Sequence, residues 1–319
     1  MSNCIYTPAE IRAAAAPAVW SCSEISAELI EQWADYIDCT GRTFETYTAN
    51  VRRFYIWLQA QGIKQPERSD VIRYRDQLEQ DHKPATVHAY LIAVKLFFQW
   101  TESCGKYPDI AKRVKGTKVD TDYKKDPLTS SQAGRVLGSI HTDNIAGLRD
   151  YAIIALMLTT GLRTRSIILA DIRDIKPLGE MTVLFYQGKG HKEKADYVKL
   201  SEPVLNAMMR YLAARGEPAP NEPLFASAAH RNAGERMTTR SVSRIVKEAL
   251  RAAGLESERL TAHSLRHTAG TLAVKNGATL PEVQQLLGHK DINTTMIYLH
   301  IIKKEENTST DRITSAIFG

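Results

Sequence analysis

The 319-residue chain contains no run of about 18 uninterrupted apolar residues, so a membrane-spanning helix is excluded. Its first residues, MSNCIYTPAEIRAAAAPAVW, lack a basic start leading into an apolar stretch, and Pro8, Glu10 and Arg12 argue against a secretory signal. Cysteine is scarce. Cys4, Cys22, Cys39 and Cys104 all fall in the first third with no C-x-x-C spacing, so neither a disulfide framework nor a cysteine zinc site is expected, and the expected compartment is a reducing cytoplasm. No internal repeat is visible. Charge of one sign is only in slight excess, 42 Lys plus Arg against 36 Asp plus Glu, too little by itself to name a partner. What remains is a globular composition, 43% apolar and 24% charged, with a length that suits two domains.

From Ser23 to about Ser103, apolar residues recur at three- and four-residue steps, which predicts helices. SEISAELIEQWADYI carries Ile25, Leu29, Ile30, Trp33 and Ile37 behind a Ser23 cap, and TFETYTANVRRFYIWLQAQG carries Tyr47, Val51, Phe54 and Leu58. QPERSDVIRYRDQLEQ is a shorter third helix, and KPATVHAYLIAVKLFFQWTESCG opens at Pro84 and closes near Gly105. Residues 1–22 are expected as an N-terminal extension, too short for a folded domain, and 23–105 as an all-helical domain with its aromatic residues in the core. Between Lys106 and Lys125 seven basic residues (Lys106, Lys112, Arg113, Lys115, Lys118, Lys124, Lys125) outnumber three acidic ones. With Pro, Gly and little apolar periodicity, 106–126 reads as an extended basic linker. Clustered cations gain counterion-release entropy on phosphates, so a polyanion is the partner suggested.

The remainder, 127–319, reads as mainly helical with one small antiparallel sheet, an α+β arrangement. LRDYAIIALMLTTG is a strongly apolar helix ending at Gly161. MTVLFYQ and YVKLS flank the polar turn GKGHKEKAD as a hairpin. Helices resume at EPVLNAMMRYLAARG, RSVSRIVKEALRAAG, HSLRHTAGTLAVKNG and LPEVQQLLGH.

Five features stand apart from this background. Arg163 follows the apolar helix in TTGLRTRS, Lys189 lies in QGKGHKEK, and His263 and Arg266 share HSLRH. His289 follows LLG, and Tyr298 comes nine residues later in TTMIYLH. Each alone has a plain structural explanation: a C-terminal cap, a solvent-facing turn lysine, a surface pair, or a packing residue in an alternating run. In order and together, GLR, GKG, HxLRH, LLGH and the tyrosine resemble the signature of the tyrosine recombinase (phage integrase) family over about Leu128–His300. The preceding helical module and basic linker resemble that family's core-binding domain.

The resemblance implies a DNA strand transferase, and the residue types fit that chemistry. Attack on a phosphodiester adds charge to its equatorial oxygens, and the planar forks of Arg163 and Arg266 can bind them as the charge grows. His289 would add a further donor. Tyr298 would attack and become joined to the DNA 3′ end. A phenol is protonated at neutral pH, so it needs a base, and by motif analogy that is His263. Lys189 would protonate the departing 5′ oxygen. No metal, cofactor or ATP is expected. The sequence departs from the family in one place: an acidic residue commonly stands three positions after the first arginine, where this chain has Ser166. Either Ser166 hydrogen-bonds in its stead or the reaction is slowed. His267 is expected to be structural, buried with a hydrogen bond.

Lys112, Arg113, Lys115, Lys118, Lys124, Lys125, Arg240 and Arg244 are candidate contacts to double-stranded DNA. The family relationship implies a homo-tetramer on two recombination sites. The apolar tail residues Ile313, Ile317 and Phe318 would form a helix packed on their own domain or on a neighbour. Three other readings are open. A zinc enzyme could use His263, His267 and either His289 or His300; a DNA-binding regulator could keep the fold without the chemistry; a topoisomerase could use the same chemistry. Integration, excision and dimer or cointegrate resolution are not distinguished by sequence.

Overall fold

The computed structural model describes residues 20–39, 41–118, 125–188, 190–191, 193–216, 218–305 and 307–318. The chain divides into two units, Met1–Asp122 and Tyr123–Gly319.

In the first unit four helices pack around an aromatic core: α1 (Ala27–Tyr36), α2 (Arg42–Ala60), α3 (Arg68–Asp81) and α4 (Pro84–Ser103). Ser26, not Ser23, caps α1, its Oγ accepting from the Leu29 N–H at 3.3 Å. Ile25 is buried immediately before that cap, so the chain enters the core earlier than the helix begins. Pro84 occupies the first turn of α4, where its missing N–H has no intrahelical partner to lose. The periodic apolar residues meet edge to face. Trp33 stands at 90° to Phe97 with centroids 5.7 Å apart, and Phe54 at 82° to Phe98 with centroids 5.9 Å apart.

The first part of the expected linker is not extended. Tyr107, Ala111 and Val114 are buried in this core, and the Tyr107 hydroxyl donates to the Pro66 carbonyl at 2.9 Å. Arg68 and Arg75 of α3 donate to the carbonyls of Arg113 and Lys115. The apolar residues fall at steps of four and three but lie in turns rather than a helix, and so were lost among the charges around them. Lys124 lies outside the described residues.

The second unit is built on α6 (Ile145–Thr160), which follows α5 (Ser130–Gly138). Every residue from Ala152 to Leu158 is buried, as expected of a helix apolar on all faces. The Asn144 side chain accepts from the Gly147 N–H at 2.8 Å at its start, and Gly161 ends it in the left-handed conformation. A short α7 (Thr164–Leu169) leads into the sheet β1 (Ile175–Leu178), β2 (Met181–Tyr186) and β3 (Asp196–Lys199), antiparallel in the order β1-β2-β3. Leu184 pairs with Ile175 on one side and Val198 on the other. β1 was not anticipated: it has four residues and includes Pro177, which an edge strand tolerates.

The chain continues through α8 (Glu202–Ala214), α9 (Thr239–Ala252), α10 (Ala262–Lys275), α11 (Leu280–Leu287), α12 (Asn293–Glu305) and α13 (Ser309–Phe318). α6 packs against α8 and α10, and α10 also carries α11 and α12. Tyr298 thus lies in a helix, not in an alternating strand-like run. Among the described residues no helix is long and apolar enough to cross a membrane.

Tyr107→Ala is expected to destabilise the first unit by about 3 kcal/mol, the cost of emptying a core aromatic site. Urea unfolding checks this; a change below about 0.5 kcal/mol, typical of a surface position, would return residues 107–114 to a linker.

Candidate active site

Arg266 projects from α10 into the core and is buried. Burying a guanidinium is costly unless its donors are satisfied. One terminal nitrogen donates to the Gly161 carbonyl at 2.6 Å and the other to the Leu287 carbonyl. These carbonyls lie at the C-terminal ends of α6 and α11, so two helix ends carrying partial negative charge converge on one cation. Glycine makes the convergence possible. Gly161 (φ +64°) and Gly288 (φ +59°) close the two helices in the left-handed region, and a Cβ at Gly161 would lie 2.4 Å from Leu287 Cδ2. The glycines of TTGLR and LLGH are therefore the seats of Arg266. Burial and then the charge of Arg163 pull its pKa down to about 10, which leaves it cationic at neutral pH.

Tyr298 of α12 is fully buried against the same face of α10. Its ring lies over Gly270, where a Cβ would stand 2.6 Å from Cζ, so any side chain there would displace the tyrosine. The hydroxyl lies 3.2 Å from Nδ1 of His267. The His289 ring is parallel to the Tyr298 ring at 6.5 Å, and its Nδ1 lies 2.9 Å from the Thr295 hydroxyl. His263, nominated from the motif as the base, is exposed and sits one ring further out, 6.0 Å from His267 between centroids. His267, expected to be buried with a hydrogen bond, has that bond to the phenol hydroxyl of Tyr298.

Burial sets the protonation states. It pushes Tyr298 up to about 12 despite the opposing charges of Arg266 and Arg163. It pulls His267 down to about 4, with His263, Arg266 and His289 adding to the effect, and His289 to about 4, with Arg266 and Arg163 adding. His263, though exposed, is lowered by partial desolvation of its ring and then by the charges of Arg266, Arg163 and Lys125. At neutral pH a protonated phenol thus faces neutral imidazoles and cationic guanidiniums.

Arg163 and His289 line one cleft of about 430 Å³ with Gly190, Gly288, Lys290, Asp291 and Thr294. Lys189 lies outside the described residues. Ser166 of α7 donates to the Gln187 carbonyl at 2.9 Å. Among the described residues no group of three or more His, Cys, Asp or Glu side chains could hold a metal.

The nominated DNA contacts divide between the two units. In the first, Lys112, Arg113, Lys115 and Lys118 are exposed, with Lys112 Nζ 3.6 Å from Glu102. In the second, Lys125 donates to the Glu258 carbonyl, while exposed Arg240 and Arg244 line a cavity of about 670 Å³ with Arg149 and Arg231. Sequence reasoning missed Gly270, Thr295 and the contact made by His267. A glycine inside the apolar helix HTAGT was the available signal, since such a residue marks a close approach.

A helical unit followed by a helical domain whose cations and histidines surround a buried tyrosine is the constitution of a tyrosine recombinase. The comparisons with known proteins agree. Residues 127–305 match the phage integrase family, and residues 29–104 match the phage integrase N-terminal SAM-like domain. The chain is 31% identical over 284 residues to tyrosine recombinase XerC of Corynebacterium glutamicum, covering 86% of this chain and 88% of that protein. It is 28% identical to tyrosine recombinase XerD of Listeria monocytogenes, over 86% and 95% of the two chains. In fold it is similar to the XerH site-specific recombinase bound to palindromic difH substrate (TM-score 0.71, 22% identity, 92% of this chain and 84% of that one). It is also similar to a lambda integrase dimer bound to a COC′ core site (TM-score 0.68, 15% identity, 92% and 81%). The chain belongs to the phage integrase family; it is a tyrosine-type site-specific recombinase.

The depressed histidines make stability depend on pH. His267 and His289 are neutral in the folded state down to about 4 but would titrate near 6.5 when unfolded, so their contribution is present above 6.5 and is lost as pH falls from 6.5 towards 4. After solvent screening the loss is expected to reach a few kcal/mol. Melting temperature measured against pH should fall across this window, and His267→Gln should flatten the fall. An identical slope in the variant would contradict the burial of a neutral imidazole.

Proposed function

We propose that this enzyme cuts and rejoins double-stranded DNA at specific sites through a 3′-phosphotyrosyl intermediate, without metal or ATP. The single observation that carries this reading is Tyr298, fully buried with its hydroxyl 3.2 Å from His267, its ring parallel to that of His289 and within the field of Arg266 and Arg163.

Arg163, Arg266 and His289 hold the non-bridging oxygens of the scissile phosphate as their charge rises. The Tyr298 oxygen forms a bond to phosphorus while the bond from phosphorus to the 5′ oxygen breaks. The phenol proton passes to Nδ1 of His267, with exposed His263 as the outer ring through which it can leave. Lys189 supplies a proton to the 5′ oxygen. Between a phenol at about 12 and an imidazole at about 4, full proton transfer without substrate would cost on the order of 10 kcal/mol. Proton loss is therefore coupled to attack, when phosphorus accepts the electron pair, and the DNA-free enzyme forms no free phenolate. The reverse sequence with a 5′ hydroxyl from another strand rejoins the DNA and restores the tyrosine.

Lys112, Arg113, Lys115, Lys118, Lys124, Lys125, Arg240 and Arg244 contact DNA, mostly at phosphates. In α13 the residues Ile313, Ile317 and Phe318 are 58%, 66% and 83% exposed, an apolar face that suits a neighbouring protomer in a homo-tetramer on two sites. The role is integration and excision, or resolution of dimers or cointegrates, in the cytoplasm.

A nicked substrate that traps the covalent adduct tests this. Tyr298→Phe should form none while still binding the site, Arg163→Ala should slow adduct formation by about 10²–10³-fold, and a chelator should change nothing. Adduct formation by Tyr298→Phe would refute the proposal.

A further inference from the structure

The turn between β2 and β3 is fastened on both legs to the segment that begins with Arg163. On the ascending leg, Ser166 Oγ donates to the Gln187 carbonyl at 2.9 Å, and Gln187 Nε2 crosses the turn to the His191 carbonyl at 2.6 Å. On the descending leg, Lys194 Nζ lies 2.6 Å from Asp171 and 2.5 Å from Asp174, two carboxylates that are themselves buried. Arg236 completes the group. It pairs with the other Asp171 oxygen and donates to the carbonyls of Ile168 at 2.7 Å and Ala170 at 3.1 Å, the C-terminal end of α7. Both carboxylates therefore hold the turn through Lys194, and Asp171 also holds the end of α7 through Arg236.

None of these groups lines the cleft beside His289. Two buried carboxylates with two cations are costly unless geometry is well satisfied, and removing one partner leaves an uncompensated charge. Such a group holds one arrangement firmly.

We infer that Lys194, Asp171, Asp174 and Arg236, with Ser166, form a clamp that positions the β2–β3 turn relative to Arg163, so that leaving-group protonation is controlled from outside the cleft. These are positioning residues, and the inference rests on the proposed role of Lys189 as the acid. Because the clamp acts on the proton donor and not on the arginines, its loss should matter only when the leaving group needs a proton.

The test compares single-turnover adduct formation by the full-length enzyme on two substrates. One has the natural 5′ oxygen; the other has a 5′ bridging sulfur, a leaving group that departs without an acid. Lys189→Ala should be slowed by about 10²-fold or more on oxygen and restored on sulfur. Lys194→Met should behave in the same way at about 10-fold or more, Ser166→Ala should follow in milder form, and Lys194→Arg should recover the rate on oxygen. Ser166→Ala deletes one hydrogen bond and carries the test if Lys194→Met does not fold. Equal slowing of Lys194→Met and Ser166→Ala on both substrates, with Lys189→Ala restored by sulfur, overturns the clamp alone. Failure of sulfur to restore Lys189→Ala overturns the role of Lys189 and the clamp with it.

Discussion

One buried guanidinium organises the catalytic half of this protein. Arg266 donates to carbonyls at the ends of α6 and α11, and the two helices can approach it only because Gly161 and Gly288 take left-handed conformations that a side chain would resist. Where α6 ends, Arg163 follows two residues later; where α11 ends, His289 follows. Fixing these two ends on one cation thus delivers the second arginine and the histidine to a common cleft. The electrostatics follow from the same packing. Burial first, and then the cations drawn together here, depress the neighbouring histidines, and burial raises the tyrosine.

Under the proposed mechanism, that packing also accounts for a constellation that stays unreactive without DNA. The phenol is held protonated and out of solvent by Gly270 and by a neutral His267 with little capacity to take its proton. In the proposed reaction Tyr298 is the nucleophile, and its activation depends on a phosphorus atom to receive it. A buried hydroxyl on a neutral imidazole is stable at rest, whereas an exposed phenolate would not be.

Much of this was legible beforehand because the determinants are local. The apolar steps of α1 to α4, the Gly161 stop and the flanks of the β2–β3 turn follow from side-chain period and turn chemistry. The short strings GLR and LLGH named Arg163 and His289 of the cleft, and HxLRH named the buried Arg266 behind them. What escaped depends on contacts between distant segments. Tyr107, Ala111 and Val114 are buried by helices formed earlier in the chain, β1 is held by β2 despite Pro177, and Tyr298 is helical because α12 packs on α10. Motif spacing favoured His263 over His267, but the phenol position is set by Gly270, one turn from Arg266 on α10.

The claim that Arg266 ties the ends of α6 and α11 together is tested most directly by comparing the unfolding free energies of Arg266→Ala and Arg163→Ala in urea. Arg266→Ala should lose about 3 kcal/mol or more, because two helix-end carbonyls are left buried without their cation. Arg163→Ala should stay within about 1 kcal/mol of the parent, since its guanidinium is only half buried at the cleft. Equal stabilities for the two variants would contradict the account.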